Sequence, residues 1–319
     1  MHRVWIDQPV LDSVLPMLEG VAELVGPGAP LEELATCDAA LDPGVPWNAS
    51  RFDRAPRLRI VSRIGVGYDN IDVDAATERG IMVSNTPHGP TLSTAEHAVG
   101  LIFAAAKTIA YADRDMRAGR WQTHCTTVKG MELRGRVLGL VGAGRIGCMV
   151  AQIMQAVGMQ VLACDPLLTS ERAAQLGMRK VEPLEELLGQ SDVISLHAPS
   201  IPSTRHLINA KSLAAVKPGA ILINTARGAL VDEVALVAAL RSGHLAAAGL
   251  DVFEQEPIQG DNPLLQLENV VLTDHIASHT WAGHHRLYEM AVHHALQALR
   301  GERPDGLLNE VAVDGKRSR

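Results

Sequence analysis

Between residues 137 and 273 the chain alternates short apolar runs with segments whose apolar residues recur every three or four positions. The runs at 137–141, 160–164, 192–196, 220–223, 246–250 and 270–272 predict strands, and the segments 146–157, 169–176, 183–189, 209–216 and 232–242 predict helices. Such alternation predicts a parallel, doubly wound sheet that binds ligands beyond the carboxyl ends of its strands. Residues 1–60 predict a smaller α/β unit, with strands at Arg3–Ile6 and Leu58–Val61, helices at Val10–Leu18 and Ala49–Ala55, and a loop at Pro43–Pro46. A further strand is expected at Ile81–Val83. A long helix is expected from Ser93 to Ala110, capped by Ser93 or Thr94, with Glu96 and His97 in its first turn. Its interior, Ala98 to Ala106, is apolar on nearly all faces, which predicts burial between domains or subunits. A polar stretch follows Trp121, and the tail from Asp314 is expected to fray.

The strand predicted at Val137–Val141 runs directly into Gly142-Ala143-Gly144-Arg145-Ile146-Gly147, and helical spacing begins there. Placed between a strand and a helix, these glycines have distinct tasks. Gly142 permits a tight turn, Gly144 lets the backbone approach a pyrophosphate, and Gly147 lets helix and strand pack closely. The free N–H groups at the helix start then hold the anion. Asp165 stands at the end of the next predicted strand. A carboxylate there accepts hydrogen bonds from the ribose hydroxyls and repels a 2′-phosphate, which points to NAD rather than NADP. Without its neighbours, Asp165 would read as a turn residue before Pro166.

Length and composition set outer bounds. A chain of 319 residues, 47% apolar, has room for two domains and a sizeable core. A net charge of −7, with no basic run beyond Lys316-Arg317, gives nucleic acid no electrostatic footprint. Aromatic residues at 3% leave little for base stacking. The four cysteines, Cys37, Cys125, Cys148 and Cys164, lack metal or redox spacing, and the two in predicted core elements read as small apolar residues. The N-terminus does not read as a signal peptide, and no apolar run reaches 18 residues. A cytoplasmic protein without membrane contact is expected.

Several predicted strand ends carry polar residues that should converge with the glycine turn: His197-Ala198-Pro199, Thr225-Ala226-Arg227-Gly228, Asp251 to Pro257, and Asp274-His275. Arg227, Glu256 and His275 fit reduction of a 2-oxo acid. A guanidinium grips a carboxylate bidentately and polarises the neighbouring carbonyl. A histidine donates the proton that accompanies hydride transfer, and a carboxylate beside it fixes the imidazole's tautomer. Taken singly, the three read as a surface ion pair, a loop acid and a core histidine. Gly65-Val66-Gly67 follows a strand, and its backbone N–H groups would make an anion nest suited to a carboxylate; a plain loop is the other reading. His275 and His279 lie four apart in a histidine-rich stretch, but without the glutamate or cysteines of a zinc site no metal is expected.

Five segments together, Ser62 to Asp72, Gly142 to Gly147, His197-Ala198-Pro199, Asn224 to Gly228 and Gly249 to Pro257, resemble the D-isomer-specific 2-hydroxyacid dehydrogenase family over roughly residues 55–300. The resemblance implies an α/β fold of two Rossmann-like domains. One is a doubly wound parallel sheet that binds NAD, residues 96–281. The other is a smaller, discontinuous, flavodoxin-like substrate domain, residues 1–95 and 282–319. It also implies a homodimer built largely through the NAD-binding domain. By match to the family's motifs, Arg227 would bind the substrate's carboxylate and carbonyl, His275 would be the acid–base residue, and Glu256 its partner. The turn Gly65-Val66-Gly67 would hold the carboxylate. Arg145 and Ile146 would lie along the pyrophosphate, Asp165 on the ribose, and Asp251 near the carboxamide. His197, Ala198, Pro199, Thr204, Thr225 and Ala226 would line the cofactor.

The sequence departs from the family's pattern at Asp274, where proline usually precedes the histidine, and at Ala277, His279 and Trp281, of which His279 and Trp281 would line and narrow the substrate pocket. His88 sits in a loop that faces the substrate in relatives. The phosphoglycerate dehydrogenase branch looks nearest, but it would place an arginine near residue 42, where this chain has Asp42. Arg63 remains a candidate phosphate ligand. No regulatory domain is expected beyond residue 319. These features favour a small non-phosphorylated acid such as glyoxylate or hydroxypyruvate, with phosphoglycerate dehydrogenase activity as the alternative. A rival of another class is a non-catalytic NAD(H)-responsive protein like the C-terminal-binding corepressors, which keep the same triad. Turnover on a 2-oxo acid separates the two.

Overall fold

The computed structural model describes residues 1–121 and 130–311. The polar stretch beyond Trp121, with Cys125, and the tail from Asp314, with Lys316-Arg317, lie outside the described residues. The chain divides into two compact units: Met1–Pro90 together with the chain from His279 onward, and Thr91–Ser278. The expected divisions at 95 and 281 fall just inside the helices that begin at Thr91 and Trp281.

The first unit contains β1 (His2–Trp5), β2 (Ala22–Val25), β3 (Ala39–Asp42), α1 (Ala49–Asp53), β4 (Ile60–Arg63), α2 (Val73–Glu78) and β5 (Met82–Ser84). Its five strands are all parallel, in the order β2-β1-β3-β4-β5, the flavodoxin-like arrangement. Asn48 and Asp72 cap the two helices by accepting from Arg51 N and Ala75 N, each cap worth about 1 kcal/mol. The strands are buried on both faces, as parallel strands usually are. Trp47, Phe52, Leu58 and Val61 fill one side. The C-terminal helix Trp281–Leu299 packs Leu287, Ala291 and Ala295 against Val4, Leu41 and Ile60 on the other. Two expectations fail here. The segment Val10–Leu18 forms only a 3-10 turn, Asp12–Met17, because Pro16 removes a helix donor. The other is by omission: Asp42 ends a strand, Ala39–Asp42, that the periodicity does not predict.

The second unit opens with α3 (Thr91–Ala106) and α4 (Ile109–Arg117). The single helix expected from Ser93 to Ala110 is thus two, broken at Thr108, whose φ of 54° is left-handed. There follow β6 (Val137–Val141), α5 (Arg145–Val157), β7 (Gln160–Cys164), α6 (Ser170–Gln175), β8 (Met178–Lys180), α7 (Leu184–Gln190), β9 (Val193–Leu196), α8 (Ala210–Ala214), β10 (Ala220–Asn224), α9 (Glu233–Arg241), β11 (Leu245–Leu250) and β12 (Val270–Leu272). The strands form one parallel sheet in the order β12-β11-β10-β9-β6-β7-β8. That is the Rossmann order with a further strand at one edge.

The register of this sheet positions the site. Cys164, Val141, Leu196, Asn224, Leu250 and Leu272 pair in one row across six strands. The residues that follow them, Asp165, Gly142, His197, Thr225, Asp251 and Thr273, therefore leave the sheet at one edge. The topological switch lies between β6 and β9, at Gly142 and His197. Among the described residues no helix is long and apolar enough to cross a membrane.

Candidate active site

The glycine turn fits a dinucleotide by steric criteria. Gly142 is left-handed, with φ of 95°, and a Cβ there would stand 2.7 Å from the His197 carbonyl. A Cβ on Gly147 would run into the Gly142 carbonyl oxygen. Gly144, the N-cap of α5, has an ordinary φ of −72° and nothing within 4 Å of its virtual Cβ. Nothing inside the protein demands a glycine at Gly144; a ligand approaching the backbone would. No side chain caps α5 at its N-terminus, so the first-turn N–H groups around Arg145 and Ile146 remain available to an anion.

The flanking strand ends continue the cradle. Asp165 turns its carboxylate toward the glycine turn: Oδ2 accepts from Ala143 N at 2.7 Å and Oδ1 from Leu167 N at 2.7 Å. Each oxygen keeps a lone pair for a ribose hydroxyl. Thr225 Oγ1 is buried and has no hydrogen-bond partner among the described residues, an orphan that a bound group would satisfy. His197 Nε2 lies 2.9 Å from Ser195 Oγ, and burial pulls the imidazole down to about 4. It is therefore neutral and serves packing beside Gly142. Ala198 and Pro199 follow it. Thr204 closes the turn after Pro199, donating to the Pro199 carbonyl at 2.7 Å and accepting from Ile201 N at 2.9 Å.

Arg227, Glu256 and His275 come together at the carboxyl ends of β10 and β11 and beyond β12. A Cβ on Gly228 would overlap the Phe253 carbonyl, so the backbone at 227–228 lies directly against the loop that carries Glu256. Asn224 closes the turn before Arg227, accepting from Ala226 N and donating to the Arg227 carbonyl. His275 Nδ1 stands 2.6 Å from Glu256 Oε2, and Glu256 Oε1 accepts from Phe253 N at 3.0 Å. Burial pushes the Glu256 carboxyl up, but the bonds from His275 and Phe253 N and the Arg227 charge outweigh it and hold it below the usual carboxylate range. An ionised carboxylate only accepts, so Nδ1 carries the hydrogen and Nε2 is the nitrogen left to exchange a proton. His275 has φ of 58°, a left-handed backbone that costs a non-glycine residue about 1 kcal/mol or more. Asp251 holds it there. This residue is fully buried, and its carboxylate accepts from Thr273 Oγ1, Ile276 N and Ala277 N. Its oxygens hold the loop around His275.

In the first unit the turn Gly65-Val66-Gly67 is fixed from behind. Arg63 donates from Nη1 to the Ile64 and Asp42 carbonyls and from Nε to the Gly67 carbonyl, and pairs with the Asp42 carboxylate at 3.6 Å. Gly65 exchanges hydrogen bonds with Thr86, and Asn85 Nδ2 donates to the Val66 carbonyl. Among the described residues the Val66 and Gly67 N–H groups have no acceptor. The carbonyls are thus drawn inward, and two donors remain for an anion. Arg63 works as a clamp rather than as a free phosphate ligand. Asp42 is fully buried, its oxygens engaged by Gly44 N, Val45 N and Asn70 Nδ2. The sequence reading passed over Thr86, Asn85, Thr273 and His97, none of which lies in a recognisable motif. Of the departures from the family's pattern, His279 and Trp281 lie in the first unit: the His279 ring stands edge-on to His284, and Trp281 is 91% exposed. Among the described residues no group of three His, Cys, Asp or Glu side chains could hold a metal.

Comparison with known proteins bears on this arrangement directly. The family model described as D-isomer specific 2-hydroxyacid dehydrogenase, NAD binding domain, matches residues 99–277. A glyoxylate reductase of Korarchaeum cryptofilum is 46% identical over 286 residues, covering 89% of this chain and 86% of that protein. A D-3-phosphoglycerate dehydrogenase of Archaeoglobus fulgidus is 48% identical over 233 residues, 73% of this chain but 44% of that protein. This chain therefore matches less than half the length of that relative. The crystal structure of a glyoxylate reductase from Paecilomyes thermophila superposes with a TM-score of 0.85 at 32% identity, over 99% of each chain. The chain belongs to the D-isomer-specific 2-hydroxyacid dehydrogenase family and is an NAD-dependent oxidoreductase.

Proposed function

We propose that the protein interconverts a small, non-phosphorylated 2-oxo acid, such as glyoxylate or hydroxypyruvate, and its D-2-hydroxy acid. The observation that carries the chemistry is the 2.6 Å pairing of His275 Nδ1 with Glu256 Oε2, beside the Arg227 charge. NAD(H), when bound, supplies or accepts the hydride. His275 gives its proton from Nε2 to the substrate oxygen in reduction and takes it back in oxidation, while Glu256 stabilises the imidazolium. Arg227 orients the substrate's carboxylate and polarises its carbonyl. The Val66 and Gly67 N–H groups of the first unit offer two donors suited to a carboxylate. Gly142, Gly144, Arg145, Ile146 and Gly147 would hold the pyrophosphate and Asp165 the ribose, with preference for NAD over NADP. His197, Ala198, Pro199, Thr225 and Ala226 would line the cofactor. We assign Thr204 to the turn beside them and Asp251 to the His275 loop.

The engagement of Arg63 with Asp42 and the turn supports a non-phosphorylated substrate, because the guanidinium offered for a phosphate is already occupied. The similarity to a phosphoglycerate dehydrogenase favours a second reading, reduction of phosphohydroxypyruvate. We further infer a cytoplasmic homodimer. Ile109, Met116 and Trp121 in the second unit expose apolar side chains at 53%, 53% and 69%, which suits self-association. Sedimentation velocity tests the dimer. Loss of NADH absorbance with glyoxylate, hydroxypyruvate, pyruvate and phosphohydroxypyruvate, with NADPH as control, tests the substrate. The expected kcat/KM is at least about tenfold higher for an unphosphorylated acid than for phosphohydroxypyruvate. The reverse order would establish the second reading. Binding of NADH without turnover of any acid would favour the corepressor-like alternative.

A further inference from the structure

We propose that His97, a residue of α3 outside every motif of the site, is a positioning residue that holds the loop bearing His275 in its catalytic geometry. The proposal rests on the reading of His275 as the acid–base group. The His275 loop has few means of its own to stay left-handed, and one buried side chain supplies them. Asp251 accepts from Thr273 Oγ1 at 2.6 Å, from Ile276 N at 2.9 Å and from Ala277 N at 2.9 Å, and its carbonyl accepts from His275 N at 2.8 Å. The loop is therefore as well placed as Asp251 and Thr273 themselves.

His97 fixes that pair from the side. Its Nε2 lies 3.0 Å from Thr273 Oγ1 and 3.4 Å from Asp251 Oδ1. Thr273 has one hydroxyl hydrogen, and it goes to Asp251. Burial pushes the Asp251 carboxyl up, but the bonds from His97, Thr273, Ile276 and Ala277 outweigh it and keep it ionised. Neither oxygen near His97 has a hydrogen to give, so Nε2 must be the donor, shared between them. The donor stands on a rigid support, since Ala98, Leu101 and Ile102 of α3 are buried in the core of the same unit. The chain of contact runs from α3 through His97 to Thr273 and Asp251, and from Asp251 to the backbone of His275.

His97→Phe keeps a ring without the donor, and His97→Gln places an amide N–H near the position of Nε2. With the saturating 2-oxo acid, H97F should lower kcat by roughly tenfold, as expected when a reacting group is misplaced. H97Q should recover most of the loss. NADH affinity, read by fluorescence titration, should stay within about twofold in both, because His97 is not among the residues assigned to the cofactor. Thr273→Val should reproduce the H97F loss, and the double variant should lose no more than either single one. The His275 ring resonance in NMR should shift in H97F and return in H97Q, a readout that needs no turnover. If the native protein reduces no 2-oxo acid, the catalytic reading fails, while the resonance still decides the role of His97. Native kcat in H97F, an unmoved His275 resonance, or loss of NADH binding in parallel with kcat would each overturn the proposal. If H97F does not fold, T273V with the same titration and resonance gives the same decision.

Discussion

Glu256 Oε2 stands 2.6 Å from His275 Nδ1, and the two residues reach each other from loops beyond different strands. The contact sets which nitrogen of His275 faces outward. It also lowers the Glu256 pKa despite burial, so the carboxylate keeps its charge below the range in which an unfolded chain would lose it. Glu256→Gln keeps the shape and removes the charge. Its kcat should fall by about 10- to 100-fold near neutral pH. The linkage also has a definite sign. A depressed carboxyl pKa contributes stability above the unfolded value of about 4.3, and that contribution disappears as pH falls through the lower folded value. Thermal melts between pH 3 and 7 should show E256Q less stable than the native protein at neutral pH. The gap should narrow in acid. A gap that widened in acid would show that the charge opposes folding.

Two glycines should respond in opposite ways. Gly228→Ala puts a methyl group into the Phe253 carbonyl. G228A should therefore lower the melting temperature and abolish turnover together. Gly144→Ala meets nothing within 4 Å, so its melting temperature should stay near native. NADH affinity in G144A should nonetheless fall by about tenfold or more, since the methyl group stands where the pyrophosphate must approach. Calorimetry and fluorescence titration separate the two cases. Native NADH affinity in G144A would remove the glycine turn from the cofactor site.

Asp165 faces the glycine turn with lone pairs to spare. Asp165→Ser should weaken NADH binding by roughly tenfold and narrow the preference over NADPH, because the repelling charge is gone. Titration with both cofactors checks this. An unchanged ratio would place the ribose elsewhere.

Arg63 clamps the turn at Gly65-Val66-Gly67. Arg63→Ala should raise KM for the 2-oxo acid by about tenfold and leave NADH affinity unchanged, as loss of an orienting element does. It should act alike on phosphorylated and unphosphorylated acids. A selective loss of phosphohydroxypyruvate activity would make Arg63 a phosphate ligand.

The second unit was more legible in the sequence than the first, for physical reasons. Its strands run in long apolar stretches separated by caps and glycines, so periodicity and turn chemistry agree, and the strand ends that carry Gly142, Asp165, Arg227 and His275 could be marked directly. Ala39-Ala40-Leu41-Asp42 was missed because a short, alanine-rich strand lacks the β-branched signature. Met178-Arg179-Lys180 was missed because an edge strand tolerates charge. The long helix was drawn past Ala106 because composition does not register the left-handed Thr108. His97 was invisible for a different reason. It sits in the second turn of a helix, where a lone histidine reads as solvated, and its partners Thr273 and Asp251 are distant in sequence. Arg63 was read as a candidate phosphate ligand because only pairing across β3 and β4 shows that it and Asp42 neutralise each other.

The central claim is that His275 exchanges the proton with a 2-oxo acid while the cofactor is held elsewhere in the same unit. The most direct test is steady-state NADH oxidation by His275→Ala with the best acid of the panel, alongside NADH titration. Turnover should fall by about 100-fold or more, with NADH affinity near native. Near-native turnover in H275A would contradict the account.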